Sequence, residues 1–158
     1  MSIKTRQASR YDLDAILLLF KETIETVNAR DYSFEQIRVW SNGAYKKDSW
    51  LRKIEEHFFI VAELDDDIAG FGSITKEGLL DFLYVSKNHQ RIGVATTIYA
   101  QIESYARKHH LQKISSDASV TAKPFFEKQG FEVIQQQQVI IEGVELMNYN
   151  MAKHLFEK

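Results

Sequence analysis

The sequence predicts a mixed α/β domain, and three observations carry that expectation. Helix-start signatures recur in the first third of the chain. Near His57 the apolar period shortens from that of a helix to that of strands. Further on, a nearly continuous apolar run, Gly78 to Ser86, passes through one glycine into a long amphipathic helix, which predicts a parallel crossover.

"IKTRQA" (Ile3 to Ala8) reads as a short first strand. Ser9 and Asp12 then have capping-box spacing, each side chain able to satisfy an orphan backbone N–H. The residues Leu13, Ile16, Leu17, Phe20, Ile24 and Val27 fall on one helical stripe. A second box, Ser33 and Gln36, predicts another helix ending near Asn42 and Gly43, and "DSWLRKIEE" adds a short third helical piece. "HFFIVAEL" and "DIAGFGSIT" read as a hairpin whose turn is Asp65, Asp66 and Asp67. "LLDFLYV" is so apolar that it predicts a strand buried on both faces. In the helix that follows, Ala95, Ile98, Ile102, Tyr105 and Ala106 are expected inward, with Thr97, Gln101, Ser104 and Lys108 outward. "KISSDAS" is a strand, and "TAKPFFEKQG" a helix with Pro124 in its first turn and Gly130 as its stop. Two strands around the turn Glu142-Gly143 close the chain, giving the order β-α-α-β-β-β-α-β-α-β-β.

The bulk numbers bound the function. With 158 residues the chain fits one domain, 1–158, with a sizeable core. A net charge of −2 supplies no global attraction for nucleic acid or an anionic membrane, and neither is expected as a partner. No apolar run is long enough to span a bilayer, and "MSIKTRQAS" lacks the apolar segment of a signal peptide. The chain has no cysteine, which excludes disulfides, thiolate metal sites and a cysteine nucleophile and fits a cytoplasmic protein. Its five histidines (57, 89, 109, 110, 154) have no metal-ligand spacing, so no metal is expected.

The glycine is Gly93, in "QRIGVAT". The helix it opens has no acidic residue in its first turn, so several backbone N–H groups face the positive end of the helix dipole unneutralised. Such a terminus suits a phosphate; it also suits tight helix–strand packing. Neither the P-loop pattern nor the three-glycine dinucleotide fingerprint is present.

The stretch "LYVSKNHQRIGVATTIYAQIESYA" resembles the acyl-CoA-binding motif of the GNAT superfamily of N-acetyltransferases. The pattern Gln/Arg-x-x-Gly-x-Gly/Ala is met by Gln90, Gly93 and Ala95 after Val85. A second family segment, Asn-x-x-Ala-x-x-x-Tyr-x-x-x-Gly-Phe, lines up with "SVTAKPFFEKQGF" at Ala122, Gly130 and Phe131. The resemblance implies a mostly antiparallel central sheet with helices on both faces and a splayed parallel pair, strands 4 and 5. Acetyl-CoA would be the acyl donor, with its pantetheine arm between those strands against the backbone of Leu83, Tyr84 and Val85. The amides of Arg91, Ile92, Gly93, Val94, Ala95 and Thr96 would hold the pyrophosphate beside Gln90, with Ser119, Lys123 and Phe126 also lining the cofactor site. Lys87, Arg91, Lys123 and Lys128 are candidates to neutralise outer phosphates. Dimers are frequent in the family, and the terminal hairpin offers an edge strand for a homodimer.

Acetyl transfer to an amine needs a base, an oxyanion donor and a proton for the leaving thiolate. Where the family commonly has the tyrosine that protonates the thiolate, this chain has Phe126, which cannot donate. Tyr84 and Tyr149 are the substitutes nearest by element, with Ser119 a distant third. Asp81 is the first candidate for general base, because a carboxylate inside "LLDFLYV" is costly unless paired, hydrated or used. Asp117 is the second, with capping of the next helix as its alternative role. Tyr32, Trp40 and Trp50 are candidates to wall the acceptor pocket, or core residues. The expected activity is transfer of acetyl to a primary amine of a small molecule or peptide. Two other readings stand beside it: a non-catalytic acyl-CoA-binding module, which Phe126 favours, and an interaction domain that keeps the fold without the ligand.

Overall fold

The computed structural model describes residues 2–156. Strand β1 (Lys4–Gln7) leads into a 3₁₀ turn (Arg10–Asp12) and then helix α1 (Leu13–Thr26). Both capping boxes form. Ser9 and Asp12 cap the turn that begins α1, and Ser33 and Gln36 cap α2 (Phe34–Ser41). Helix α3 (Lys47–Glu56) follows a 3₁₀ turn over Asn42–Tyr45.

Next come β2 (Phe58–Leu64), β3 (Asp67–Ile74), β4 (Leu80–Val85), α4 (Val94–Lys108), β5 (Lys113–Ser119), α5 (Lys123–Lys128), β6 (Glu132–Ile141) and β7 (Val144–His154). The β2–β3 turn is Asp65-Asp66 alone, both with left-handed backbone (φ 52° and 68°), while Asp67 opens β3 opposite Leu64. Two left-handed residues make the tight turn that matches strand twist, so the third aspartate is released to the ladder.

One antiparallel sheet has the order β1-β2-β3-β4 and a second the order β5-β7-β6. A single parallel bridge, Leu79 to Ser115, joins them, after which β4 and β5 diverge. Here the apolar run misleads. Leu80 is buried, but Asp81 to Val85 are only half-buried, because the second edge of β4 pairs with no strand among the described residues and faces a cleft.

Alternation along the strands sorts the core into two layers. Ile60, Ala62 and Leu64 of β2 face α4, whereas Phe59 and Val61 face α1 and α3. On β3, Gly72 lets α4 lie close: a Cβ there would sit 2.7 Å from Ile98 Cγ2. The buried stripe of α4 is Val94, Ile98, Tyr99, Ile102 and Ala106, with Ala95 and Tyr105 half-buried at its margins. Tyr99 goes inward because its hydroxyl donates to Glu103 Oε1 at 2.8 Å, while its ring meets Phe125 and Phe131 edge-on.

Glu103 also accepts from Lys153 Nζ (2.7 Å) and Arg107 Nε (3.0 Å), tying α4 to β7. Burial alone would raise its carboxyl; the bonds from Lys153, Tyr99 and Arg107 outweigh it and hold the group at about 2. A folded value below the free value of 4.5 means this stabilisation is present above pH 4.5 and is lost as pH falls toward 2. Glu103→Gln is therefore expected to cost about 2 kcal/mol at neutral pH. Urea midpoints should show the gap between parent and variant closing below pH 4.5; a gap that stays constant to pH 2 would contradict the assignment.

Candidate active site

Helix α4 begins differently from the helices before it. Its N-cap is Gly93 (φ 93°), no side chain caps it, and its first turn holds no acid. Its first bond runs from Thr97 N–H to the Gly93 carbonyl (3.0 Å), which leaves the N–H groups of Val94, Ala95 and Thr96 without intrahelical acceptors. Arg91 is left-handed as well (φ 62°), and left-handed positions beside right-handed ones turn neighbouring amides into an anion-binding concavity. A Cβ on Gly93 would meet nothing within 4 Å, so the cradle is open on that side.

The cleft below this terminus has a volume of about 450 Å³. Its β4 wall supplies backbone groups. Ser86 N–H donates to the Ala69 carbonyl (2.8 Å), which sets the ladder so that Phe82 and Tyr84 bond to β3 while Leu83 and Val85 turn their peptide groups toward the cleft. The Val85 carbonyl is already held there, by Gln90 Nε2 (2.7 Å) and Thr23 Oγ1 (3.2 Å). Gln90 thereby pins the loop that carries Arg91 to Gly93. An uncapped helix N-terminus, unpaired strand peptides and an elongated cleft together fit the pyrophosphate and pantetheine arm of coenzyme A.

Of the lysines and arginine expected near the phosphates, Arg91 and Lys128 line the cleft. Lys87 is paired with Glu22 (2.8 Å). Lys123 lies 3.7 Å from Glu127 and 5.0 Å over the Tyr149 ring, off the cleft wall. Ser119 lines the cleft and its Oγ accepts from the Ala122 amide (3.0 Å). Phe126 also lines it, 2% exposed and edge-on to Phe131.

A second cavity, of about 220 Å³, shares Asp81, Tyr84, Trp40, Asp117 and Ser119 with the cleft. Asp81 is the extra residue of a β-bulge: Leu80 pairs with Ile74 and Phe82 with Ser73. Its cost inside an apolar run is met by Lys53, whose Nζ donates to Oδ2 at 3.0 Å, and by a side chain that stays 24% exposed. Burial pushes the Tyr84 hydroxyl well above its ordinary value, opposed by a hydrogen bond from Trp40 and reinforced by the charge of Asp81. Tyr149 lies on the opposite side of β7, against Ala118, Lys123 and the α4 layer, and lines neither cavity.

Tyr32 and Trp40 wall the second cavity, edge to face with centroids 5.2 Å apart. Tyr32 also clamps the two halves of the fold: its hydroxyl donates to the Met147 carbonyl (2.7 Å) and accepts from the Val120 amide (2.9 Å). Trp50 is a core residue stacked on Phe82, its indole donating to the Gly43 carbonyl (3.0 Å). Sequence reasoning missed Thr23 and Asn28, two buried polar residues that line the cleft. Thr23 carried a usable signal, since it interrupts the apolar stripe of α1 beside Phe20 and Ile24. Among the described residues, no group of three or more His, Asp or Glu side chains is placed to hold a metal ion, and no helix is long and apolar enough to cross a membrane.

A family model described as an acetyltransferase (GNAT) domain matches residues 28–153, and the chain belongs to that family. It is an acyl-CoA-dependent N-acetyltransferase. Among curated proteins it is 28% identical over 150 residues to YafP of Escherichia coli K12, an uncharacterized N-acetyltransferase, covering 95% of each chain. A crystal structure of a GCN5-related N-acetyltransferase from Rhodopseudomonas palustris superposes with a TM-score of 0.94 at 28% identity, covering 98% of this chain and 97% of that one. The PaiA N-acetyltransferase of Thermoplasma acidophilum, solved with coenzyme A, shares the fold at a TM-score of 0.80 and 23% identity, covering 98% of this chain and all of that one.

Proposed function

We propose that the protein moves an acetyl group from acetyl-CoA to the primary amine of a small molecule or peptide, with Asp81 as general base and Tyr84 as general acid. The observation that carries this is the junction of the two cavities, where both side chains border the cofactor cleft and the acceptor cavity at once. Acetyl-CoA, when bound, supplies an activated thioester: the amine lone pair forms the N–C bond as the C–S electron pair leaves with sulfur.

The residues manage two protons. Asp81 takes the first from the acceptor ammonium, freeing the lone pair, and passes it to solvent. Its Oδ2 is held by Lys53, and its Oδ1 has no hydrogen-bond partner among the described residues. Tyr84 gives a proton to the leaving sulfur and recovers one from the acylated nitrogen, so an ammonium ion and a thioester become an amide, a thiol and one free proton. Burial raises the Tyr84 hydroxyl, which makes it a weaker acid than a free tyrosine, so its assignment rests on its place at the junction of the two cavities. The Leu83 and Val85 amides, facing the cleft, are the backbone donors available to the carbonyl oxygen. Lys128 and Arg91 add positive charge along the cleft, and the amides of Val94 to Thr96 hold the pyrophosphate.

Phe126 favours a second reading, a non-catalytic acyl-CoA-binding module, since it has no proton to give. Tyr84→Phe separates the two. Under the catalytic reading it lowers kcat roughly 100-fold in a thiol-release assay while leaving acetyl-CoA affinity within about threefold. Undiminished turnover would remove Tyr84 from the proton path, and a parent protein inactive with every amine would favour the binding module.

A further inference from the structure

The acceptor cavity has a charge pattern that goes beyond a general preference for amines. Asp81 and Asp117 are the charged side chains on its wall, and no lysine, arginine or histidine of the described residues lines it. The nearest cation, Lys53, is committed: it holds Asp81 at 3.0 Å and lies 4.8 Å over the Phe82 ring. Most of the remaining lining residues are apolar or aromatic, with Phe20, Tyr32, Trp40, Phe82 and Tyr84 as the aromatic part. The Tyr32 hydroxyl is consumed by its two backbone bonds, so that residue offers a ring and no free donor.

Asp117 is oriented rather than free. Gln137 Nε2 (2.9 Å) and Asn150 Nδ2 (3.1 Å) both donate to its Oδ1, which leaves Oδ2 for a ligand. Asn148, on the same wall, adds a buried side-chain oxygen with no partner. Asp117 is a solvent-exposed carboxylate, but its orientation by two amides at the mouth between the cleft and an aromatic cavity places it to pair with an organic cation.

We infer that the acceptor is a small primary amine on an apolar, aromatic-sized body that carries no acid group, seated as its ammonium ion on Asp117 Oδ2 with its body between Tyr32, Trp40 and Phe82. This rests on the acetyltransferase reading above. Asp117 is then the residue that sets specificity, distinct from Asp81, which moves the proton. An acceptor bearing a carboxylate would place it beside two aspartates with no free cation to receive it, a like-charge juxtaposition that disfavours binding.

Phenethylamine and phenylalanine test this directly, because they share ring and amine and differ by one carboxylate. By thiol release, kcat/KM for phenethylamine should exceed that for phenylalanine on the order of 100-fold. Asp117→Asn should raise the phenethylamine KM about 10-fold or more with kcat nearly unchanged, and Asp117→Glu should recover part of the loss. Calorimetric titration of phenethylamine into the protein saturated with desulfo-CoA gives a readout independent of turnover, and the same weakening by Asp117→Asn is expected there. Equal use of phenylalanine, or an Asp117→Asn variant with parental KM and affinity, would overturn the inference. Failure of phenethylamine to bind while acetyl-CoA binds would overturn it too, whereas failure of acetyl-CoA itself to bind would strike the acetyltransferase reading.

Discussion

Gly93→Glu is expected to weaken acetyl-CoA binding roughly 100- to 1000-fold, because it sets a carboxylate among the amides proposed to hold the dianionic pyrophosphate. The structure separates this effect from misfolding. A side chain at position 93 meets nothing within 4 Å, so the fold has room for it. The left-handed backbone (φ 93°) adds a strain cost of about 1–2 kcal/mol for any non-glycine residue. Gly93→Ala carries that strain without the charge and should lose far less affinity than Gly93→Glu. Calorimetry on the two variants, with denaturation curves as controls, decides the matter: parental affinity in Gly93→Glu would remove the α4 terminus from the site.

Asp81→Asn should lower kcat by about 100-fold or more while leaving acetyl-CoA affinity nearly unchanged. The carboxylate lies on a bulge, off the regular pleat, where it reaches the junction of the two cavities. Asparagine keeps the shape and a hydrogen-bond acceptor for Lys53 but cannot take a proton from an ammonium ion. Loss of the Lys53 ion pair is a separate effect, and Lys53→Met reports it: that variant breaks the pair and keeps the base. Equal turnover for Asp81→Asn and the parent would remove Asp81 from the mechanism.

How much of this was legible in the sequence follows from how local each signal is. Both capping boxes, the Glu142-Gly143 turn, Pro124 at the start of α5 and Gly130 just beyond it are decided by neighbours along the chain, and each forms where the sequence places it. The start of α4, with no side-chain cap and no first-turn acid, is a local feature too, but α5 shares it, and what pointed to a phosphate there was the resemblance carried by Gln90, Gly93 and Ala95. What escaped depends on distant partners. Tyr99 turns inward because Glu103, Phe125 and Phe131 receive it, and nothing in its own spacing outranks Tyr105. The apolar run of β4 predicts two covered faces, yet its free edge is made by the divergence of β5, which no local pattern encodes. Lys53 as the partner of Asp81, and the second cavity assembled from α1, α2, β4, β5, β6 and β7, exist only once the chain has folded. Tyr149 illustrates the converse: the element was right, but strand parity sends its ring to the α4 side, away from the junction.

The departure at Phe126 has a physical reading in the same terms. Its ring is buried against Phe125 and Phe131, so the position supports the α4–α5 layer, and the hydroxyl proposed to donate instead, that of Tyr84, stands on the β4 wall of the cleft.

The central claim is that open amides at the start of α4 and the splayed β4–β5 pair make a coenzyme A site. Calorimetric titration of the purified protein with acetyl-CoA, and with desulfo-CoA as control, tests it most directly. Micromolar binding of both ligands is the predicted result, since the cradle and the strand peptides engage the parts the two molecules share. No binding of either at millimolar concentration would contradict it.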